Sequence, residues 1–265
     1  MSLSSLLGAI FGFGLFLASI VTITDNYMSF LDFHGAMIVF GGTIASAYMS
    51  FQARYVNLAF KAMWWMVKKP KSTREGLNTE IARLIKWSYV VQTKGLPALE
   101  AEIRSLPTQD KLLKFCLELL TTNYKPEDIR HMIETAIESQ YERDVAPVTV
   151  LKMMAGAAPA FGMIGTLVGM VVMMQGLGED FSSMGAGLAV ALLATLYAVV
   201  YARLLCLPAA EKLQQLEEIT RHRNYMIAEG IVMLAEKQSP RYMQDRLNSF
   251  LDPAVHFNID RQMSR

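Results

Sequence analysis

The placing of cationic residues constrains this chain more than any other feature. No Lys or Arg occurs from Met1 to Ala53 or from Met153 to Ala202, so all 25 basic residues fall in 54–152 and 203–265. A soluble domain spreads its long cationic side chains over the whole surface. Two long blocks without a cation fit chain that lies in hydrocarbon, where an ammonium or guanidinium is costly. The acids are nearly as scarce there, confined to Asp25, Asp32, Glu179 and Asp180.

A membrane helix needs about 20 mostly apolar residues. Four stretches qualify or nearly do: Leu3–Ile23, Gly35–Phe51, Met153–Gly176 and Gly185–Leu207, the last with Arg203 close enough to its end to snorkel. The short connections hold the acids and no Lys or Arg, while 54–152 and 208–265 hold the cations. The positive-inside rule then puts both large segments and both termini in the cytoplasm, and both short loops outside. The first stretch lacks a basic n-region and ends in Val21-Thr22-Ile23-Thr24, which favours a retained helix over a cleaved signal peptide.

Helical patterning continues through the polar segments. Ser72-x-x-Glu75 reads as a capping box ahead of Leu77, Ile81, Leu84 and Ile85 on one face. Pro126, Glu127 and Asp128 form a first turn, followed by Ile129, Ile133, Ala136 and Ile137 in a helix running towards Pro147 and into the third stretch. After Pro208 comes an amphipathic run with Leu213, Leu216, Ile219, Met226, Ile227, Met233 and Leu234, expected to continue the fourth stretch and stop near Pro240. No strand pattern is present. The expected fold is an all-α integral membrane protein with four transmembrane helices, a helical cytoplasmic loop and a helical cytoplasmic tail. Its segments are 1–51 (transmembrane helices 1 and 2), 52–147 (cytoplasmic helical domain), 148–207 (transmembrane helices 3 and 4) and 208–265 (cytoplasmic helix and tail). The 53–70 stretch has two readings: a helix along the inner membrane face, or one packed inside the bundle.

Composition excludes several classes. Hydrophobic residues make up 52% and charged ones 18% of the chain, against about 45–50% and about 25% in soluble domains. A net charge of +1 gives no basic face for nucleic acid. Cys116 and Cys206 read as ordinary buried thiols. His34, His131, His222 and His256 are scattered, and no nucleotide loop, nucleophile elbow or metal-spaced cluster occurs, so neither an enzyme nor a metal or cofactor is expected.

The membrane stretches carry no Asp, Glu, Lys or His at mid-depth, so the chain either moves no ion or borrows a carboxylate from another subunit. Small residues line faces instead. Gly162, Gly165 and Gly169 share one side of the third stretch, Gly187, Ala191, Ala194 and Ala198 one side of the fourth, and Gly8-xxx-Gly12 marks the first more weakly. Thr166 and Thr195 fall near mid-depth, where each hydroxyl either back-bonds to its own helix or supplies an oxygen to a cation. Pro159 frees a carbonyl within its helix or simply kinks it.

PAFGMIGTLVGMVVMM (159–174), GLAVALLATLYA (187–198) and Pro208 resemble the MotA/PomA family of flagellar stator subunits, within the MotA/TolQ/ExbB superfamily. The order of elements is similar over almost the whole chain. The resemblance implies a stator channel subunit of the bacterial inner membrane, coupling ion flow to torque. Several copies, a pentamer, would ring a dimer of a single-span MotB/PomB-type partner that supplies an ion-binding aspartate. The cytoplasmic loop would push the flagellar rotor ring protein.

By the same resemblance Thr166 and Thr195 are ion-pathway residues, and Pro159 and Pro208 couple ion movement to the cytoplasmic part. Ala194 stands where sodium-driven members carry a threonine, which favours H⁺ over Na⁺ as the transported ion. Gln92 stands where family members often have Arg, leaving Lys94, with Glu100 and Glu102, as the expected rotor contacts. Two other readings compete. One is an ExbB/TolQ-like energiser, which has three spans and an external N-terminus; the other is a non-conducting scaffold whose loop binds partners.

Overall fold

A computed structural model describes residues 3–65, 74–99, 110–122, 124–176, 181–253 and 256–258, and among these the regular structure is entirely helical. The helices are α1 (Leu3–Ile23), α2 (Phe33–Ala36), α3 (Gly42–Ser50), α4 (Ala53–Trp65), α5 (Arg74–Lys94), α6 (Lys111–Leu120), α7 (Pro126–Gln175), α8 (Phe181–Val200), α9 (Leu207–Ala235) and α10 (Pro240–Asn248). A π-helical turn, Met37–Gly41, joins α2 to α3, and another, Tyr201–Cys206, joins α8 to α9.

Local chemistry sets the boundaries. Asp32 caps α2, its carboxylate accepting from the Gly35 N–H at 2.5 Å. Asp110 caps α6 by accepting from Leu112 and Leu113 N–H, and Ser239 caps α10, which opens on Pro240. At the end of α5, Gly95 takes a left-handed conformation (φ +81°) and its N–H closes on the Val91 carbonyl at 3.0 Å. The expected cap residue Ser72 lies outside the described residues.

Pro126, Glu127 and Asp128 start α7, which runs 50 residues through Pro147 and Pro159; at about 1.5 Å per residue it is about 75 Å long. Pro208 does not close a helix. The wide turn just before it lets the Leu207 N–H reach the Ala202 carbonyl. That looser turn accommodates a proline ring that would clash with the carbonyl four residues back. α9 then continues to Ala235, with Lys237 in the left-handed region as the chain turns towards α10.

The chain divides into two compact units, residues 1–70 with 145–215, and residues 71–144 with 216–265. In the first, three helical runs are long and apolar enough to cross a membrane: Tyr27–Ser50, and the runs within Pro126–Gln175 and Met184–Ala235. α1 is an uncharged, mostly apolar helix of 21 residues. Large apolar side chains stand outward on this unit, such as Leu15, Met163, Leu167, Val171 and Leu192, with Leu192 63% exposed. Apolar exposure on this scale is unstable in water and ordinary against lipid or another chain.

The second unit has a conventional core. Ile81, Leu84, Trp87, Leu113, Ile129, Ile133, Ile137 and Met226 are all buried, so the expected apolar faces of α5 and α7 form as read. On α9, Met226, Ile227, Met233 and Leu234 are buried here, while Leu213 packs in the first unit and Ile219 is 38% exposed. Ion pairs frame this core. Arg223 bridges Glu80 at 2.6 Å and Asp110 at 2.8 Å. Glu229 binds both Arg130 and Arg246, the latter at 3.0 Å. Cys116 lies buried in this core, where desolvation pushes its thiol up to about 12, and Cys206 is buried in the first unit.

Candidate functional site

In the first unit the small faces of α7 and α8 meet. A methyl on Gly162 would stand 2.5 Å from the Ala198 Cβ; one on Gly169 would stand 2.6 Å from both the Ala191 N and the Gly187 O; one on Gly187 would stand 2.5 Å from the Met173 N. Gly165 meets the Ala194 methyl just as closely. The two backbones touch with nothing between them, which only glycine opposite glycine or alanine allows. Gly8 has open space around it and Gly12 has only Leu204 at 4.0 Å, so the weaker motif of α1 closes no such contact.

Thr166 and Thr195 flank this seam. The Thr166 hydroxyl donates to the Met163 carbonyl at 2.7 Å, and Thr195 reaches the Ala191 carbonyl at 3.5 Å. Both hydroxyls therefore back-bond to their own helices, and the longer Thr195 contact is the weaker. Thr195 is exposed and Thr166 half-buried. Ala194 is fully buried, clustered with Val39 and Ala198. Its methyl fills the seam against Gly165, so position 194 sets helix separation.

α2 enters this site in a way the sequence did not suggest. A methyl on Gly35 would stand 3.3 Å from the Ala194 N. Ala194 lies 13 residues into α8, or about 20 Å from its start. The Tyr197 hydroxyl donates to the Phe30 carbonyl and accepts from the Asp32 N–H at 2.8 Å. The Asp32 carboxylate, expected in an outer loop, is thus held at the start of α2, where Tyr197 and Ala194 pack, and is only 18% exposed. Its place immediately before an apolar run was the one available signal, because a capping aspartate must sit there.

Pro159 is half-buried within α7 and Pro208 is exposed at the start of α9. Lys94 ends α5 ahead of the Gly95 turn; Glu100 and Glu102 lie outside the described residues. Among the described residues no group of His, Cys, Asp and Glu could hold a metal ion.

Fold and seam define an all-helical membrane protein whose apolar helices pack backbone to backbone beside two mid-helix hydroxyls. Residues 105–225 match the model of the MotA/TolQ/ExbB proton channel family. Motility protein A of Aquifex aeolicus is 31% identical over 248 residues, covering 92% of this chain and 94% of that protein. Chemotaxis protein PomA of Vibrio alginolyticus is 27% identical over 256 residues, covering 95% and 96%. The fold matches a chain of the solved C. jejuni MotAB structure with a TM-score of 0.84 at 23% identity, over 96% of this chain and 99% of that one. The chain belongs to the MotA/TolQ/ExbB proton channel family, in its MotA/PomA branch of flagellar stator channel subunits.

Proposed function

We propose that this subunit crosses the bacterial inner membrane four times, with both termini cytoplasmic, and conducts H⁺ in preference to Na⁺. α1 is the fourth crossing, beside the three longer apolar runs. Copies of the chain, five in number, ring a dimer of a single-span MotB/PomB-like subunit whose aspartate takes the proton. Pro159 and Pro208 couple ion movement to the cytoplasmic part, where Lys94, Glu100 and Glu102 meet the rotor ring protein. A partner-borne carboxylate accords with the names of relatives solved as MotAB complexes.

The observation that carries the proton reading is the state of the seam. A bare metal cation in a protein site is typically held by six or more oxygens. The α7–α8 seam offers two hydroxyl oxygens and at position 194 a buried methyl, far fewer side-chain ligands than such a shell requires. A proton passing to a carboxylate needs no such shell.

The chain and its candidate partner are co-expressed in a stator-less host, and swimming speed is followed while Na⁺ varies at fixed pH. Speed independent of Na⁺ is expected. Speed rising with Na⁺ would overturn the ion assignment and leave the stator role in place.

A further inference from the structure

We infer that the outward face of α4 is a seat for the phosphate headgroup of an anionic lipid in the cytoplasmic leaflet. α4 begins directly after α3, the last helix of the Tyr27–Ser50 run. One face of it is fully buried: Val56 and Ala59 join the cluster that holds Ala47, Ala158 and Ala202 near the ends of the apolar runs. The opposite face, Arg54, Asn57, Leu58 and Lys61, is exposed at i, i+3, i+4 and i+7 spacing.

Depth is set by a hydrogen bond. The Tyr48 hydroxyl, on the last turns of α3, donates to Asn57 Oδ1 at 2.7 Å. A chain leading straight away from the membrane would carry Asn57 well beyond reach of Tyr48. The bond requires α4 to turn back and keep its outward face level with the end of α3. Tyr48, Met49 and Leu58 are exposed at that level, Met49 by 88%. Arg54 and Lys61 therefore share an exposed face with Leu58, and that face is tied through Asn57 to the exposed Tyr48 at the end of α3.

The charge complements one occupant. No Asp or Glu occurs between Asp32 and Glu75, so this stretch carries cations alone. The cytoplasmic leaflet is negative and draws Lys and Arg at the membrane boundary, and Tyr is enriched at that depth. A second copy of the chain fits less well, because protein interface cores are depleted in Lys. The inference rests on the topology proposed above, which puts α4 on the cytoplasmic side.

The full chain, purified in a nonionic detergent, is titrated with dioleoyl phosphatidylglycerol and, in parallel, dioleoyl phosphatidylcholine, with bound lipid read by native mass spectrometry. Tighter binding of phosphatidylglycerol is expected. It should weaken about fivefold for each cation removed in Arg54→Gln and in the Arg54→Gln/Lys61→Gln pair. The charge-preserving pair Arg54→Lys/Lys61→Arg should bind as the parent does. Equal affinity for the two lipids overturns the proposal, as does equal loss in the charge-preserving pair. Unchanged lipid binding with a lower subunit count in the double Gln variant also overturns it, giving the face to a second copy. Accessibility of an N-terminal tag reports the topology separately, and lipid binding needs no motility, so the two failures are distinguishable.

Discussion

At the α7–α8 seam the residues in contact are Gly162, Gly165 and Gly169 on one side and Ala198, Ala194, Ala191 and Gly187 on the other. In the second unit they are Trp87, Leu113, Ile133 and Met226, framed by Arg223, Arg130 and their carboxylates. The difference follows from the solvent. In water, each large apolar side chain withdrawn from the surface contributes about 1.5–3 kcal/mol, so the core is built from the largest residues. In lipid a leucine gains little by leaving the tails, and association depends on how closely two backbones can approach. The membrane unit is thus held by what its side chains leave out, and the second unit by what its side chains fill.

The largest effect expected from breaking that rule is at Gly169. Gly169→Val forces a branched side chain into backbone atoms of α8, an overpacking that costs about 1–3 kcal/mol or more. Motility should be lost and thermal stability in detergent lowered, whereas Gly8→Ala, in open space, should leave both at the parental level. Ala194→Thr should fall between, slowing swimming without creating Na⁺ dependence; a gain in speed with Na⁺ would mean the position faces the ion after all.

Next in size is Glu229→Ala. Truncating one partner of a fully buried pair costs about 3–5 kcal/mol. Here Arg130 and Arg246 are 39% and 52% exposed and regain water, so about 1–2 kcal/mol is expected, read by denaturation of the full chain. Burial works against the charges of Glu229 and Asp110, yet their arginine hydrogen bonds outweigh it and hold both carboxyls below their ordinary values. The unfolded chain therefore takes up these protons first as pH falls. Stability from these pairs is complete above the usual carboxylate range and is lost on acidification through the lowered folded values.

The smallest effect is expected at Glu217, where burial, with the charge of Asp144, pushes the carboxyl up to about 7. The folded state then holds a proton that the unfolded chain releases near 4.5, so stability falls as pH rises between those values and is flat above. Glu217→Gln should remove that slope and raise stability at pH 8; an unchanged pH profile would show that Glu217 is ordinarily ionised.

Much of this was legible because solvent writes periodicity directly. Leu77, Ile81, Leu84 and Ile85, or Ile129, Ile133 and Ile137, needed only a 3.6-residue repeat to be assigned to a core. Gly162, Gly165 and Gly169 announced a close face by the same spacing. Gly8 and Gly12 have a similar spacing, yet Gly8 meets open space and Gly12 only the Leu204 side chain, since a small face does not say how closely another helix approaches it. Ala194 was legible as a position without a hydroxyl, and the tertiary structure adds that its methyl fills the space over Gly165. Asp32 and Tyr197, 165 residues apart, carry no mutual signal in the chain.

By itself the sequence determined which stretches are strongly apolar, where most helices begin and end, and which faces are small or apolar, because each depends on neighbours within a few turns. Tertiary structure alone decided that Gly35 of α2 packs against Ala194 of α8, that the Tyr197 hydroxyl fixes Asp32 beside it, and that α4 turns back onto the end of α3. Those outcomes depend on the distance between helices, set by the sum of all contacts in the seam, and no local pattern records that sum.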